Sequence, residues 1–300
     1  MSIENKIAKL KIGKVLKNVP LKKYTTYKAG GTAKLIVFPK NVDKLIELLE
    51  LLKSESINYK ILGNGSNLIF SDKVFDGVLI KLSELNNVTI NDICIKVEAG
   101  HSLISLANKT AKLGLTGMEF ATGIPGTVGG AVYMNAGAYK SDMGYIVSEV
   151  KALNPDFEVV TLYNKDLQFK YRSSFFQKNK GYICLEATII LRRGSKKIIK
   201  EVIEDRRQKR NMTQPLDFPS AGSVFRNPDN DYAARLIEIC GLKGYSIGGA
   251  IVSKKHSNFI VNKGNATGKD IHDLILYVQK TVEKEAGVKL KIEQEFVNWE

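Results

Sequence analysis

The stretch Gly123-Ile-Pro-Gly-Thr-Val-Gly-Gly-Ala-Val-Tyr-Met-Asn-Ala-Gly137 constrains this chain more than any other feature. It places five glycines and one proline in fifteen positions. A glycine inside a helix or strand costs roughly 0.5–1 kcal/mol relative to alanine. The run is therefore expected to turn sharply or to admit something large against its backbone, and not to be an ordinary helix or strand interior. A second loop, Gly63-Asn-Gly-Ser-Asn67, lies between the strand-like runs Tyr59–Leu62 and Leu68–Phe70. Two glycine-rich loops after apolar strands suit a diphosphate-bearing cofactor held by backbone N–H groups. The usual dinucleotide fingerprint is absent. After Gly63 and Gly65 the third glycine is missing, and a strand-like run stands where a helix should open.

The chain has 300 residues, enough for two or three domains with a sizeable core. No apolar run approaches the ~18 residues of a membrane span, and the N-terminus lacks the apolar stretch of a signal peptide. Cys94, Cys184 and Cys240 are odd in number and far apart, which suits a reduced cytoplasm and speaks against a disulfide framework or a zinc site. His101, His256 and His272 are too scattered for a metal cluster. The net charge of +14 comes from lysines spread along the whole chain. That distribution reads as a solvated surface, because a nucleic-acid footprint needs a focused patch. The densest basic run, residues 192–210, is interleaved with Ile198, Ile199, Val202 and Ile203 and reads as an amphipathic helix with a basic outer face.

The periodicity predicts a helix over 2–17, a strand at 34–38 stopped by Pro39, and a helix capped by Asn41 with the stripe Leu45, Leu48, Leu49 and Leu52. Strands follow at 59–62, 78–80, 88–90 and 94–97, then a helix from Ser102 to Leu113. Strands are expected at 147–153, 158–162 and 183–191. The C-terminal part is read as a helix at 232–240, a strand at 257–261, a helix from 267 to about 285 and a closing strand over 288–297. Domain boundaries are placed near 80 and 205, dividing the chain into 1–80, 81–204, 205–290 and a terminal strand over 291–300.

Four motifs stand in one order: Gly63–Asn67, Gly123–Gly137, Tyr171-Arg-Ser-Ser174 and Pro219-Ser-Ala-Gly-Ser-Val-Phe225. Together they resemble the UDP-N-acetylenolpyruvoylglucosamine reductases, flavoenzymes of bacterial peptidoglycan precursor synthesis, in the shorter form of that family. The resemblance runs from about Tyr24 to about Glu293. It implies an α+β chain: an FAD-binding fold of the vanillyl-alcohol-oxidase kind in two subdomains, followed by a C-terminal α+β substrate-binding domain. It also implies a cytoplasmic enzyme, expected as a monomer, that uses FAD and NADPH on a UDP-sugar nucleotide, with no nucleic acid, membrane or metal involved. NADPH would reduce FAD, and the reduced flavin would deliver hydride to the enolpyruvyl methylene. Charge would then develop on the neighbouring carbon and its carboxylate.

The resemblance assigns roles residue by residue. Ser223 is the expected proton donor, Arg172 the electrophile facing the substrate carboxylate, and Glu293 a neutral acid near the enolate. The family continues Glu-Val-Arg-Ile, whereas this chain reads Glu293-Gln-Glu-Phe296. Glu295 therefore competes with Glu293, and on an alternating strand the two share a face. FAD is assigned to Gly63, Asn64, Gly65, Ser66 and Asn67, and to Gly123, Pro125, Gly126, Thr127, Gly129, Gly130, Asn135 and Gly137. The substrate is assigned to Tyr171, Arg210, Arg226 and Asn227. Lys254, Lys255 and His256 read as the lead-in to a core strand. An FAD-dependent oxidase of the same fold, acting on an alcohol or hydroxy acid, is the alternative.

Overall fold

In the computed structural model, which describes residues 2–299, the chain divides into two units built from interleaved segments. One takes the chain up to Lys17, Leu35–Gly63 and Gly77–Arg207. The other takes Asn18–Lys34, Asn64–Asp76 and the chain from Gln208 onward.

The N-terminal helix is shorter than its periodicity predicts. It spans Ile3–Lys9, and Gly13–Pro20 is a strand. Two backbone features end it: Lys11 has φ +50°, and Gly13 has φ +157° with a site for Cβ only 2.0 Å from the Phe38 carbonyl oxygen. The strand leads a four-stranded sheet ordered Gly13–Pro20, Thr32–Pro39, Phe75–Lys81, Tyr59–Leu62, whose last pair is parallel. The Val42–Ser54 helix forms as its sequence dictates. Asn41 accepts from the Lys44 N–H, and Leu45, Leu48, Leu49 and Leu52 are fully buried. Burying each leucine contributes about 1.5–3 kcal/mol.

The same unit holds a five-stranded antiparallel sheet, ordered Val159–Tyr163, Val147–Leu153, Ile183–Ile190, Cys94–Glu98, Val88–Asn91. Inward residues alternate along its strands: Ile95 and Val97, Val150 and Ala152, Ala187 and Ile189. The Leu103–Lys112 helix, capped by Ser102, contributes Leu103, Leu106 and Ala107 to the same core.

The glycine-rich run departs from expectation, because Val128–Met134 is an α-helix. Its glycines, Gly129 and Gly130, fall in the first turn, where helix propensity weighs least. Thr127 caps the start and Asn135, at φ +43°, closes the end. Gly129 has a packing reason. A Cβ there would lie 2.8 Å from the Ala99 Cβ, and its N–H donates to the Ala99 carbonyl at 2.8 Å.

The second unit has a three-stranded sheet, Ser246–Ile247, Ala250–Val252, Ile260–Asn262. The strand expected over 257–261 thus begins at Ile260, after a turn, and its hairpin partner was not anticipated. The Gly268–Ala286 helix carries a full capping box, Thr267 with Asp270, and ends on Gly287 at φ +68°. Its buried face, Ile271, Leu274, Ile275 and Val278, packs with Val224, Phe225, Ile237 and Val252. The closing strand is only Glu295–Val297, parallel to Leu68–Phe70.

Candidate active site

Within the first unit Gly63, which opens one glycine-rich loop, lies against Thr127 of the other. A Cβ on Gly63 would lie 3.0 Å from the Thr127 hydroxyl, so glycine lets the chain after the Tyr59–Leu62 strand run close to the Val128–Met134 helix without displacing that side chain. Lys81 donates to the Gly63 carbonyl at 2.6 Å, and its burial pushes the ammonium pKa down. Sequence reasoning missed Lys81, since a strand-end lysine carries no motif.

The N–H groups of the loops decide what they can hold. The first three of the Val128–Met134 helix are already used. Val128 donates to the His101 carbonyl at 2.9 Å, Gly129 to Ala99 at 2.8 Å, and Gly130 to the Thr127 hydroxyl at 3.3 Å. Among the described residues, the N–H groups of Gly126 and Thr127, just before the helix, find no protein acceptor. The same is true of Asn64, Gly65 and Ser66 in the other loop. Gly65, at φ +62°, turns under Tyr24, where a Cβ would lie 2.1 Å from the carbonyl oxygen. Free consecutive amides on glycine turns are what a diphosphate needs, so these residues fit FAD.

The Tyr171-Arg172 motif is presented at the tip of a tight turn. Lys170 and Ser173 exchange both backbone hydrogen bonds at 3.0 Å, and Arg172 sits at φ +53°, an uncommon conformation for a non-glycine residue. The turn is held from behind. Asn135 donates to the Lys170 carbonyl at 2.9 Å, Ser174 to Tyr133 at 2.7 Å, and Gln177 to Tyr133 at 2.9 Å. The Arg172 guanidinium donates to the Gly137 carbonyl at 2.8 Å and lies over the Tyr171 ring, 5.2 Å from its centroid. Asn135 also accepts from the Gly144 N–H at 2.9 Å, so its side chain braces the turn. Gly137 serves the hairpin with Ser141–Asp142, where a Cβ would meet the Ser141 oxygen at 2.4 Å.

In the second unit, Ser223 and Glu293 lie on neighbouring backbones. The Glu293 N–H donates to the Val224 carbonyl at 2.8 Å and the Arg226 N–H to Lys291 at 2.9 Å. On its other side the segment is held by Asn258, which accepts from the Phe225 N–H at 2.9 Å and donates to the Phe225 carbonyl at 2.8 Å. Ser223 itself bridges Phe259 and is half-buried. Glu295 is placed differently, because the chain changes partner at Gln294. Glu295 donates to the Asn67 carbonyl at 2.9 Å and pairs opposite Leu68. Both glutamates touch Asn67, whose side chain donates to the Glu293 carbonyl at 3.2 Å, but only Glu293 pairs with Val224 and only Glu295 pairs opposite Leu68.

Arg226 is half-buried, and its Nε has no partner among the described residues; a buried cationic donor of this kind favours an anionic ligand. Asn227 accepts from the Ala233 N–H at 3.1 Å, at the start of the Ala233–Ile239 helix. Arg210 lies in the last turn of the Lys196–Thr213 helix. Lys254 and Lys255 belong to a turn rather than a strand, with Ser253 accepting from the N–H groups of Lys255 and His256. His256 packs on Phe259 with ring centroids 4.8 Å apart, and burial pushes its pKa down. No group of His, Cys, Asp and Glu among the described residues is arranged to hold a metal ion.

Comparison with known proteins agrees with the two halves of this description. Residues 33–163 match a family described as an FAD binding domain. Residues 214–297 match the C-terminal domain of UDP-N-acetylenolpyruvoylglucosamine reductase. A relative named UDP-N-acetylenolpyruvoylglucosamine reductase, from Caldanaerobacter subterraneus subsp. tengcongensis, is 49% identical over 96% of this chain and 95% of its own length. One of the same name from Bacillus subtilis is 42% identical over 95% of each chain. The crystal structure of UDP-N-acetylenolpyruvylglucosamine reductase from Thermus caldophilus superposes with a TM-score of 0.81 at 33% identity, covering 94% of this chain and 98% of that one.

Proposed function

Since the chain belongs to the UDP-N-acetylenolpyruvoylglucosamine reductase family, we propose that it reduces the enolpyruvyl group of UDP-N-acetylglucosamine enolpyruvate to give UDP-N-acetylmuramate. FAD is its cofactor and NADPH its reductant. The comparisons favour this reading over the oxidase alternative. No helix of the described residues is long and apolar enough to cross a membrane. We place the protein in the cytoplasm, on the strength of its free cysteines and its nucleotide substrate, and propose that it acts as a monomer.

FAD held by the glycine-rich loops would supply the hydride carrier between NADPH and the terminal methylene carbon of the substrate. The residues of this chain supply the rest. Gly63–Asn67 and Gly123–Thr127 hold the FAD diphosphate through the amides described above, with Gly129 and Gly130 behind them. The Arg172 guanidinium, fixed by the Gly137 carbonyl and the Tyr171 ring, pairs with the substrate carboxylate as charge develops there. Ser223 gives its hydroxyl proton to the carbon bearing that carboxylate, and solvent restores it. Glu293, as the neutral acid, donates a hydrogen bond to the same charge. Arg226, with Arg210 and Asn227, takes the UDP diphosphate. The observation that carries this reading is the backbone pairing of Glu293 with the Ser223–Arg226 segment.

The test is anaerobic flavin absorbance. NADPH should bleach the flavin, and UDP-N-acetylglucosamine enolpyruvate should restore it. Bleaching without recovery would reject the assigned substrate.

A further inference from the structure

Gln294 is 4% exposed. Its carboxamide is aimed at the turn that carries Ser223. The Nε2 group lies 3.1 Å from the Ala221 carbonyl, 3.4 Å from that of Gly222 and 3.4 Å from that of Ser223. Carbonyl oxygens only accept, so the amide orientation is unambiguous. The Oε1 atom must then face Tyr27, whose hydroxyl donates to it at 2.9 Å. Tyr27 is 1% exposed, and burial keeps its phenol protonated. Its own carbonyl accepts from the Asn262 side chain at 2.8 Å. A chain of buried polar groups therefore runs from Asn262 through Tyr27 and Gln294 to three successive carbonyls.

The neighbouring residues do not need this chain. Val224–Arg226 is held by Asn258 on one side and by the 291–293 backbone on the other. The Ala221–Ser223 turn is different. Ser223 is tied to Phe259 at one end of the turn, but Gly222 sits at φ +75° with nothing within 4 Å of its Cβ site, so no packing from that side fixes its middle. Its convergent carbonyls are gathered by Gln294.

We propose that Gln294 is a positioning residue for proton transfer, setting the place of the Ser223 hydroxyl by clamping the Ala221–Ser223 carbonyls from a Tyr27 anchor. The proposal rests on the reading of Ser223 as the proton donor. A misplacement of about 1 Å at a reacting group can cost on the order of 100-fold in rate.

The experiment is rapid-mixing kinetics of both half-reactions on FAD-loaded full-length protein: wild type, Gln294→Met, Ser223→Ala and the double variant. Methionine keeps the side-chain volume and removes the hydrogen bonds. The expected result is flavin reduction by NADPH within about twofold of wild type, showing an intact fold and FAD site. Reoxidation by UDP-N-acetylglucosamine enolpyruvate should slow by roughly 10–100-fold, with a larger solvent deuterium effect. The double variant should be no slower than Ser223→Ala, because a residue that acts through Ser223 has nothing left to position. Equal slowing of both half-reactions, or additive losses in the double variant, would overturn the proposal and make Gln294 structural. A slow Ser223→Ala beside a fast Gln294→Met would overturn it while leaving Ser223 as donor. A fast Ser223→Ala would reject the donor assignment and the proposal with it. Tyr27→Phe, which keeps Gln294 but removes its anchor, carries the same test if Gln294→Met does not fold, with a smaller loss expected.

Discussion

Glu293 and Glu295 are two residues apart and chemically identical, yet their neighbours set them apart. Glu293 pairs its backbone with Val224, beside the proposed proton donor Ser223, and Glu295 accompanies Leu68. Steady-state and half-reaction rates of the two glutamine variants separate them. Glu293→Gln should slow flavin reoxidation by roughly 10²–10³-fold, as expected when a donor to developing charge is lost. Glu295→Gln should stay within about twofold, and the reverse order would transfer the role. His256 gives a prediction in pH. Burial lowers its folded pKa below the ordinary 6.5, so the unfolded chain binds the proton more readily. Stability should be level above pH 6.5 and fall as pH drops below it, down to the folded pKa. Urea melts of wild type and His256→Gln between pH 5 and 8 test this. The variant should lose the part of the acid slope that His256 contributes, and an unchanged slope would mean that His256 is not buried neutral.

Among the elements, those written in capping residues and stripes were legible. Asn41 with its leucines marks the start and buried face of one helix, and the helix expected from 267 to about 285 is found at Gly268–Ala286. The Val128–Met134 helix was not legible, because glycine propensity outweighed a short apolar face. What makes it a helix is tertiary: Gly129 against Ala99. The N-terminal helix was overextended because Gly13 looks harmless until Phe38 is seen across from it. The two glycines of the Val128–Met134 helix should behave oppositely. Gly129→Ala forces a methyl to 2.8 Å from the Ala99 Cβ and should cost about 1–3 kcal/mol. Gly130→Ala meets only the Thr127 hydroxyl, at 3.4 Å, and should be neutral or stabilising by about 0.4–1 kcal/mol. Thermal melts of the FAD-free proteins compare them, and equal shifts would contradict the packing argument. The candidate site was legible in its motifs. Its supports were not: Asn258, Gln294 and Lys81 act through contacts between distant stretches, which no spacing records, and Asn135, assigned to FAD, braces the Lys170 turn and Gly144.

At the scale of the whole molecule, the two units are interleaved along the chain and not laid end to end. Each unit collects pieces from the N-terminal and later parts of the sequence. Because the loops with free amides are part of the folded state, FAD should stabilise it by mass action, by about 2.7 kcal/mol at a hundredfold excess over its Kd. Scanning calorimetry at increasing FAD should show a rising transition, and a transition indifferent to FAD would count against the loops as its site. The Leu68–Phe70 strand carries a further consequence, for synthesis. Its partner, Glu295–Val297, is made about 230 residues later. At ribosomal rates of roughly 5–20 residues per second, the wait is on the order of 10–50 s. During that interval Ile69 and Phe70, buried in the finished protein, have no β partner. The nascent chain therefore offers a holdase or a protease a defined apolar target, one that disappears when the final strand docks.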